Sequence, residues 1–317
     1  MILYVLKRLL QSIVTILLVV TIVFLLLRLL PTDYYFTEDE LMKLTEEQKH
    51  DRLEAAGFLD PPLTQLGRFF KQLFTEFDLG TSRRIQANQP VVTVFGSKFG
   101  VSMRLGLISL GISLVIGVCF GVLQARYKDG IFDHIGTAYT VFVNAVPSLV
   151  TYSLVLAFGA RVLGLPSMYS MRKPELSAIL PIVCLSIGSI AGYMLWTRRY
   201  MVDELNKDYI RLAKLKGMST RSVMYRHVLK NAFVPLAQYL PYSILLTVGG
   251  SLLVERFFSV PGMGPLLTDS IARYDTTVVQ GVVMLYATLG ILGVFLGDVL
   301  MTLIDPRIHL GKKGGAR

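Results

Sequence analysis

The sequence predicts an all-α polytopic membrane bundle of six transmembrane helices, with an extracytoplasmic insert after the first helix. Three observations carry that expectation. Charged residues make up only 17% of the 317-residue chain and hydrophobic residues 53%, whereas a soluble domain covers its surface with about 25% charged residues. Mean hydropathy is +0.55. The apolar residues also fall in long uninterrupted blocks instead of alternating with polar ones, which is the pattern of spans that face lipid.

The first block follows Lys7 and Arg8 and runs from Leu9 to Leu30, about 33 Å of helix. That exceeds the apolar region of a signal peptide, and Pro31-Thr32-Asp33 supplies no small-residue cleavage site. Residues 1–30 therefore read as a retained first transmembrane helix. Residues 31–97 read as an ordered insert. Thr45-Glu46-Glu47-Gln48 has the form of a capping box and Gly57 that of a helix stop. Beyond Pro61-Pro62, residues Leu66, Phe69, Phe70, Leu73, Phe74 and Phe77 recur at helical spacing and give one apolar face. That face reads as packing, with a place on the outer leaflet or over the bundle left open.

Five further spans complete a core over residues 98–317: Leu105–Leu123, Ile135–Ala160, Leu176–Thr197, Leu236–Val254 and Val278–Ile304. Lipid offers no partner to backbone polar groups, and runs this long without strand alternation exclude a barrel, so each is helical. Six helices put both termini on one side, and charge identifies it. The segment from Arg198 to Lys230 holds nine Lys and Arg against three acids. Seventeen basic residues gather on that side, against five in the short loops Arg161–Glu175 and Glu255–Thr277. Basic loops stay in the cytoplasm, so both termini are expected there and the chain in the cell membrane. The net charge of +10 then follows from topology, and no nucleic-acid partner is expected.

Cys119 and Cys184 each sit inside an apolar run, and the four histidines are scattered. Neither a disulfide framework nor a metal or catalytic cluster is expected. Asp298 is the one acid well inside a span, which makes it a functional candidate or a bond to a neighbouring helix. The loop between the fourth and fifth spans, residues 198–235, is more specific. Lys207, Arg211 and Lys214 share one helical face, with Ile210, Ala213 and Gly217 as an adjoining small-residue ridge. Gly217 fits a helix C-cap, and Ser219 or Thr220 can cap a second helix through Arg226, His227 and Asn231 towards Pro235. Such a ridge can enter a groove on a partner, and the basic face can pair with acids there.

These residues resemble a known family. The run Asp208-Tyr209, Ala213-Lys214-Leu215-Lys216-Gly217, His227, Asn231-Ala232 and Pro235 is similar to the cytoplasmic loop of type I ABC importer permeases. The oligopeptide, dipeptide and nickel branch, first-permease type, matches best. Further matches follow the family's order: Asp78-Leu79-Gly80-Thr81-Ser82, Val146-Pro147-Ser148, the outer loop Glu255 to Gly264, and Asp305-Pro306-Arg307. Departures are visible as well. A Glu-Ala pair of the broad motif falls on Arg211-Leu212, and Phe77 replaces a Gly before Asp78.

The resemblance implies the type I importer permease fold and a subunit that hydrolyses nothing itself. It implies two separate ABC ATPase subunits that bind ATP and Mg, and it puts no cofactor in this chain. A homologous second permease as heterodimer partner and an extracytoplasmic peptide-binding protein complete the assembly. Asp208, Tyr209, Arg211, Ala213, Lys214, Gly217, His227 and Asn231 would couple to the ATPase. Asn144, Pro147 and Ser148, where the third span breaks, and Glu255, Pro261, Gly262 and Gly264 would line the path or gate it. Ordinary proline kinks and turns explain those last positions equally. Peptides are the expected cargo, with nickel or another small solute as the alternative. A secondary transporter would show inverted repeats with matched broken helices, or several membrane-buried ionisable residues, and neither is evident.

Overall fold

The computed structural model describes residues 2–304. The Asp305-Pro306-Arg307 match and the glycine-rich tail therefore lie outside the described residues. Helix α1 spans Ile2–Leu27. The insert follows, with a single 3-10 turn at Thr32–Tyr35 and helices α2 (Glu38–Lys43), α3 (Glu46–Ala55) and α4 (Pro62–Glu76). Its small core is Tyr35, Phe36 and Leu53, with Leu41, Leu44 and Phe58 packed against them. Thr45 caps α3 reciprocally with Gln48, as its sequence suggests, and Thr37 does the same for α2 with Glu40. Gly57, at φ 70°, ends α3. Phe58 N–H reaches back to the Leu53 carbonyl at 2.8 Å and Gly57 N–H to that of Glu54 at 2.8 Å, a left-handed stop that only glycine adopts without strain.

Helix α5 runs over Val91–Arg126. It starts ahead of the boundary expected at residue 97 and well ahead of Leu105. Pro90 presets its entry, while Lys98 and Arg104 make its first turns too polar to read as membrane. One face of those turns is buried in protein: Val91, Val94 and Phe95 pack with Met263, Leu266, Val278 and Val282. The third span is broken, as Pro147 predicts. Helices α6 (Ile131–Ala145) and α7 (Ser148–Arg161) meet at 110°. Pro147 cannot donate a backbone hydrogen bond and pushes Val146 out of the helical region, to φ −86° and ψ 129°.

After the short α8 (Pro174–Ser177), α9 (Ile179–Leu205) packs along α5. Gly117 and Gly121 let the two backbones approach, since a Cβ at either would lie within 3 Å of α9 atoms. Helices α10 (Asp208–Leu215) and α11 (Thr220–Val223), a π-helical turn at Met224–Leu229, and α12 (Lys230–Val248) follow. From Thr220 to Val248 the chain is helical throughout, so Pro235 and Pro241 sit inside the helix without stopping it. Gly249-Gly250 then separates α12 from α13 (Leu252–Phe257), and α14 (Met263–Ala272) and α15 (Thr276–Ile304) close the fold.

Among the described residues, five helices are long and apolar enough to cross a membrane, and the broken pair makes six. The two ends of α5 are about 54 Å apart. The insert gathers at its Val91 end, and α10 at its Ala125 end.

Candidate functional site

The loop of α10 to α12 is built from the inside out. Ile210 and Ala213 are 0% and 8% exposed and pack with Ala125, Met201, Val223, Met224, Val228 and Ala232. Two of the three residues of the expected docking ridge therefore face inward, and the third, Gly217, is exposed. Apolar side chains at three-residue spacing were bound for the protein's own core, because four helix ends converge there. Burying Ile210 alone stabilises the contact by about 2 kcal/mol. What faces outward is Tyr209, Leu212 and Leu215, the last 84% exposed, among Lys207, Arg211, Lys214 and Lys216.

Gly217 closes α10 at φ 80°. Met218 N–H bonds the Ala213 carbonyl at 3.2 Å and Gly217 N–H that of Lys214 at 3.0 Å, which is the Schellman arrangement. Ser219 caps α11 by accepting from Ser222 N–H. Asn231 Nδ2 donates to Tyr209 Oη at 2.7 Å and to Glu204 Oε1 at 3.1 Å, and Tyr209 Oη donates to Glu204. Burial and that bond to Glu204 push the Tyr209 phenol up. This triad joins the ends of α9, α10 and α12. Tyr209 and Asn231 were legible as site candidates, whereas Glu204, one of three acids in a basic loop, was not. His227 lies in the π-helical turn, half-buried. Asp208 pairs with Arg211, at 3.5 Å, and both are exposed.

At the opposite end, Glu255, Pro261, Gly262 and Gly264 come together. Glu255 is 1% exposed. Its carboxylate accepts from Gly264 N–H at 2.8 Å and Ser251 N–H at 3.2 Å, while Ser102 Oγ beside it accepts from Met263 N–H at 2.8 Å. Gly250 and Gly262 form the walls of this cradle, since a Cβ at either would lie 2.5 Å or less from a Glu255 oxygen. The arrangement clamps α5, α13 and the turn into α14. A second buried acid, Asp275, was missed in the sequence. It is 0% exposed, and its Oδ2 accepts from Ser82 Oγ at 2.7 Å and from the backbone N–H of Arg83, Arg84 and Ile85 at 2.9–3.0 Å. Its place just before an apolar run reads as an ordinary helix cap. Only the fold brings Ser82 to it.

Asn144, Pro147 and Ser148 stand apart from both ends. Asn144 bonds within its own helix, to the Thr140 carbonyl at 2.8 Å. Ser148 lines a polar cavity of about 300 Å³ with Thr151, Tyr152, Ser189 and Ser251. A larger groove of about 890 Å³ lies alongside, between α5, α9, α12 and α15, lined by Tyr193, Trp196, Tyr239, Tyr242, Gln238 and Ser243 among others. Among the described residues no charged side chain lines it. Tyrosines recurring within apolar spans were its one signal in the sequence. Asp298 lies deeper along α15, accepting from Gln238 Nε2 at 3.1 Å and pairing with Arg8 of α1 at 3.3 Å. It ties three helices together. On α3, His50, Asp51 and Glu54 bring ligand atoms within 4.8 Å of one another, all in solvent.

With the broken span, the split fifth helix and the α10 loop in place, comparison with known proteins decides the family. Residues 117–310 match the family described as the binding-protein-dependent transport system inner membrane component. The chain belongs to that family. It is accordingly a multi-pass membrane transport component. The dipeptide transport system permease protein DppB of Bacillus subtilis is 31% identical over 98% of this chain and 99% of its own length. The protein of the same name from Lactococcus lactis is 32% identical over 98% of this chain and 100% of its own. The oligopeptide transport system permease protein AmiC of Streptococcus pneumoniae is 36% identical over 66% of this chain and 42% of its own length.

Proposed function

We propose that this transport component is the permease of an ATP-driven peptide importer, forming half of the pathway and coupling to a separate ATPase through residues 203–231. Both termini are cytoplasmic in this reading, ATP and Mg are bound by two partner ATPase subunits, and a second permease supplies the other half. An extracytoplasmic binding protein delivers the peptide to the end carrying Glu255 and the insert.

One observation carries the coupling role: α10 presents Tyr209, Leu212 and Leu215 to solvent while its other face is locked to α5, α9 and α12. Exposed leucines amid lysines are a docking surface, and the locked face makes α10 a lever on three helices at once. The groove suits the cargo. Its phenols, amide and hydroxyls can exchange hydrogen bonds with a peptide backbone, and its lack of charge lets side chains of either sign pass. The two helix breaks, at Pro147 and at Gly249-Gly250, border the cavities and give the walls freedom to move.

The test is co-purification from detergent of the ATPase subunits with the wild-type chain and with Leu215→Asp. At 84% exposure the substitution leaves the fold unchanged. The expected result is ATPase bound to wild type and lost from the variant. Retention by the variant would remove the coupling role from α10. Wild type that carries no ATPase and moves peptide without ATP would overturn the importer reading.

A further inference from the structure

Helix α4 carries more apolar surface than the protein covers. Phe69 packs on α1, its ring 5.3 Å from that of Phe24, and Gln65 Nε2 bonds the Phe58 and Asp60 carbonyls at 2.8 Å. These contacts occupy one edge of the helix. The rest of the apolar face is open, with Leu63 at 74% and Phe74 at 62% exposed and Phe70 stacked on Phe74 at 6.0 Å, and Phe77, the left-handed residue that ends the helix, is 82% exposed. The opposite arc is polar, with Thr64, Arg68, Lys71, Gln72 and Thr75. An amphipathic helix of this kind covers its apolar face with a core, a partner or a lipid interface.

Position selects among these. The membrane-competent part of α1 is Val5–Leu27, 23 residues, or about 34 Å of helix against a hydrocarbon core of about 30 Å. The end of α1 at Leu27 thus lies at the boundary between hydrocarbon and headgroups. Phe24 sits one turn inside it, about 4.5 Å along the axis. Because Phe69 touches Phe24, α4 is held at that depth, within the zone of about 5–10 Å that interfacial helices occupy. Apolar side chains are also open near the end of α1, where Ile22 and Leu26 are 47% and 58% exposed, and Leu29 just beyond it is 80% exposed. The depth set by Phe24 favours lipid as the cover of this face.

We infer that α4 lies in the lipid interface on the insert's side of the membrane, with Leu63, Phe70, Phe74 and Phe77 among the acyl chains. Arg68, which pairs with Asp60, and Lys71 face the headgroups and water. The insert then rests on the bilayer as well as on the bundle, and its orientation is fixed relative to the membrane plane. The inference requires only that α1 spans, so it stands or falls apart from the cargo and the ATPase.

Spin labels on the full assembly, in vesicles of phosphatidylethanolamine and phosphatidylglycerol, test it. Phe74→Cys, Phe77→Cys and Thr75→Cys are made in a Cys119→Ala, Cys184→Ala background, and all three sites are exposed. Labels at 74 and 77 should meet dissolved oxygen several-fold more readily than a water-soluble nickel chelate, and the label at 75 should show the reverse. Labels at 74 and 75 equally open to the chelate would overturn the inference and leave α4 in water. Labels at 74 and 77 shielded from both reagents would also overturn it, by placing a protein partner on the face.

Discussion

The two ends of the bundle are finished differently. At the insert end, backbone donors converge on buried carboxylates: four N–H groups and a hydroxyl on Asp275, two N–H groups on Glu255. Tyr34 stacks on Tyr274 at 4.0 Å and adds to that seam. At the α10 end, cohesion comes from an apolar cluster around Ile210, the polar triad is exposed, and leucines are left in water. Charge-assisted hydrogen bonds in a dry site are directional and costly to break, whereas apolar packing tolerates a shift of the whole unit. The first end is built to keep its shape. The second is built to be moved by something that covers it.

The largest effect should come from Asp275→Ala. It strands three consecutive N–H groups and the Ser82 hydroxyl in a buried site, a loss on the order of 3 kcal/mol or more. Thermal unfolding in detergent should shift down, and proteolysis within residues 78–90 should speed up. Asp275→Asn should cost less, because all four donors meet a single oxygen, which an amide also supplies. If Ala proves as stable as wild type, the insert is held by packing and the contrast between the ends disappears.

Gly262→Ala comes next. Its Cβ would stand 2.3 Å from Glu255 Oε2 and 2.4 Å from Ser102 Oγ, so the carboxylate must leave Gly264 N–H. The expected loss is about 2 kcal/mol. Gly111→Ala is the control: nothing lies within 4 Å of its Cβ in mid-helix, and alanine there should be neutral or stabilise by up to about 1 kcal/mol. Equal melting shifts for the two would show that the Glu255 cradle yields easily.

Much of this architecture was readable before folding. Six apolar runs, the capping box at Thr45, the stop at Gly57 and the break at Pro147 each rest on local chemistry, and local chemistry survives into the fold. The start of α5 was not readable, because Lys98 and Arg104 interrupt the apolar run over turns whose one buried face packs on α14 and α15. Tyr209, Gly217 and Asn231 stood out by pattern. The direction in which Ile210 and Ala213 face did not, since an apolar ridge looks the same whether it meets a partner or its own chain. Asp275 and Glu204 were invisible for a related reason: each is an unremarkable acid until the fold brings distant donors to it.

The smallest effect, and the sharpest for the α10 end, is at Gly217. Nothing lies within 4 Å of a Cβ there, and φ is 80°, so within this chain an alanine meets a backbone penalty alone, of about 1–2 kcal/mol. Asparagine tolerates that conformation better and should lose less. Hydrogen exchange at Gly217 and Met218, whose amides bond Lys214 and Ala213, should quicken for Ala more than for Asn, with a correspondingly small fall in global stability. ATPase retention should follow the same order if α10 docks through its leucines and Gly217 serves only to end the helix. If Gly217→Asn abolishes retention as fully as Leu215→Asp, the partner packs against the bare Cα of Gly217. The docking surface would then extend past Leu215 onto the turn itself, and the α10 end would be as closely fitted in the assembly as the insert end is within the chain.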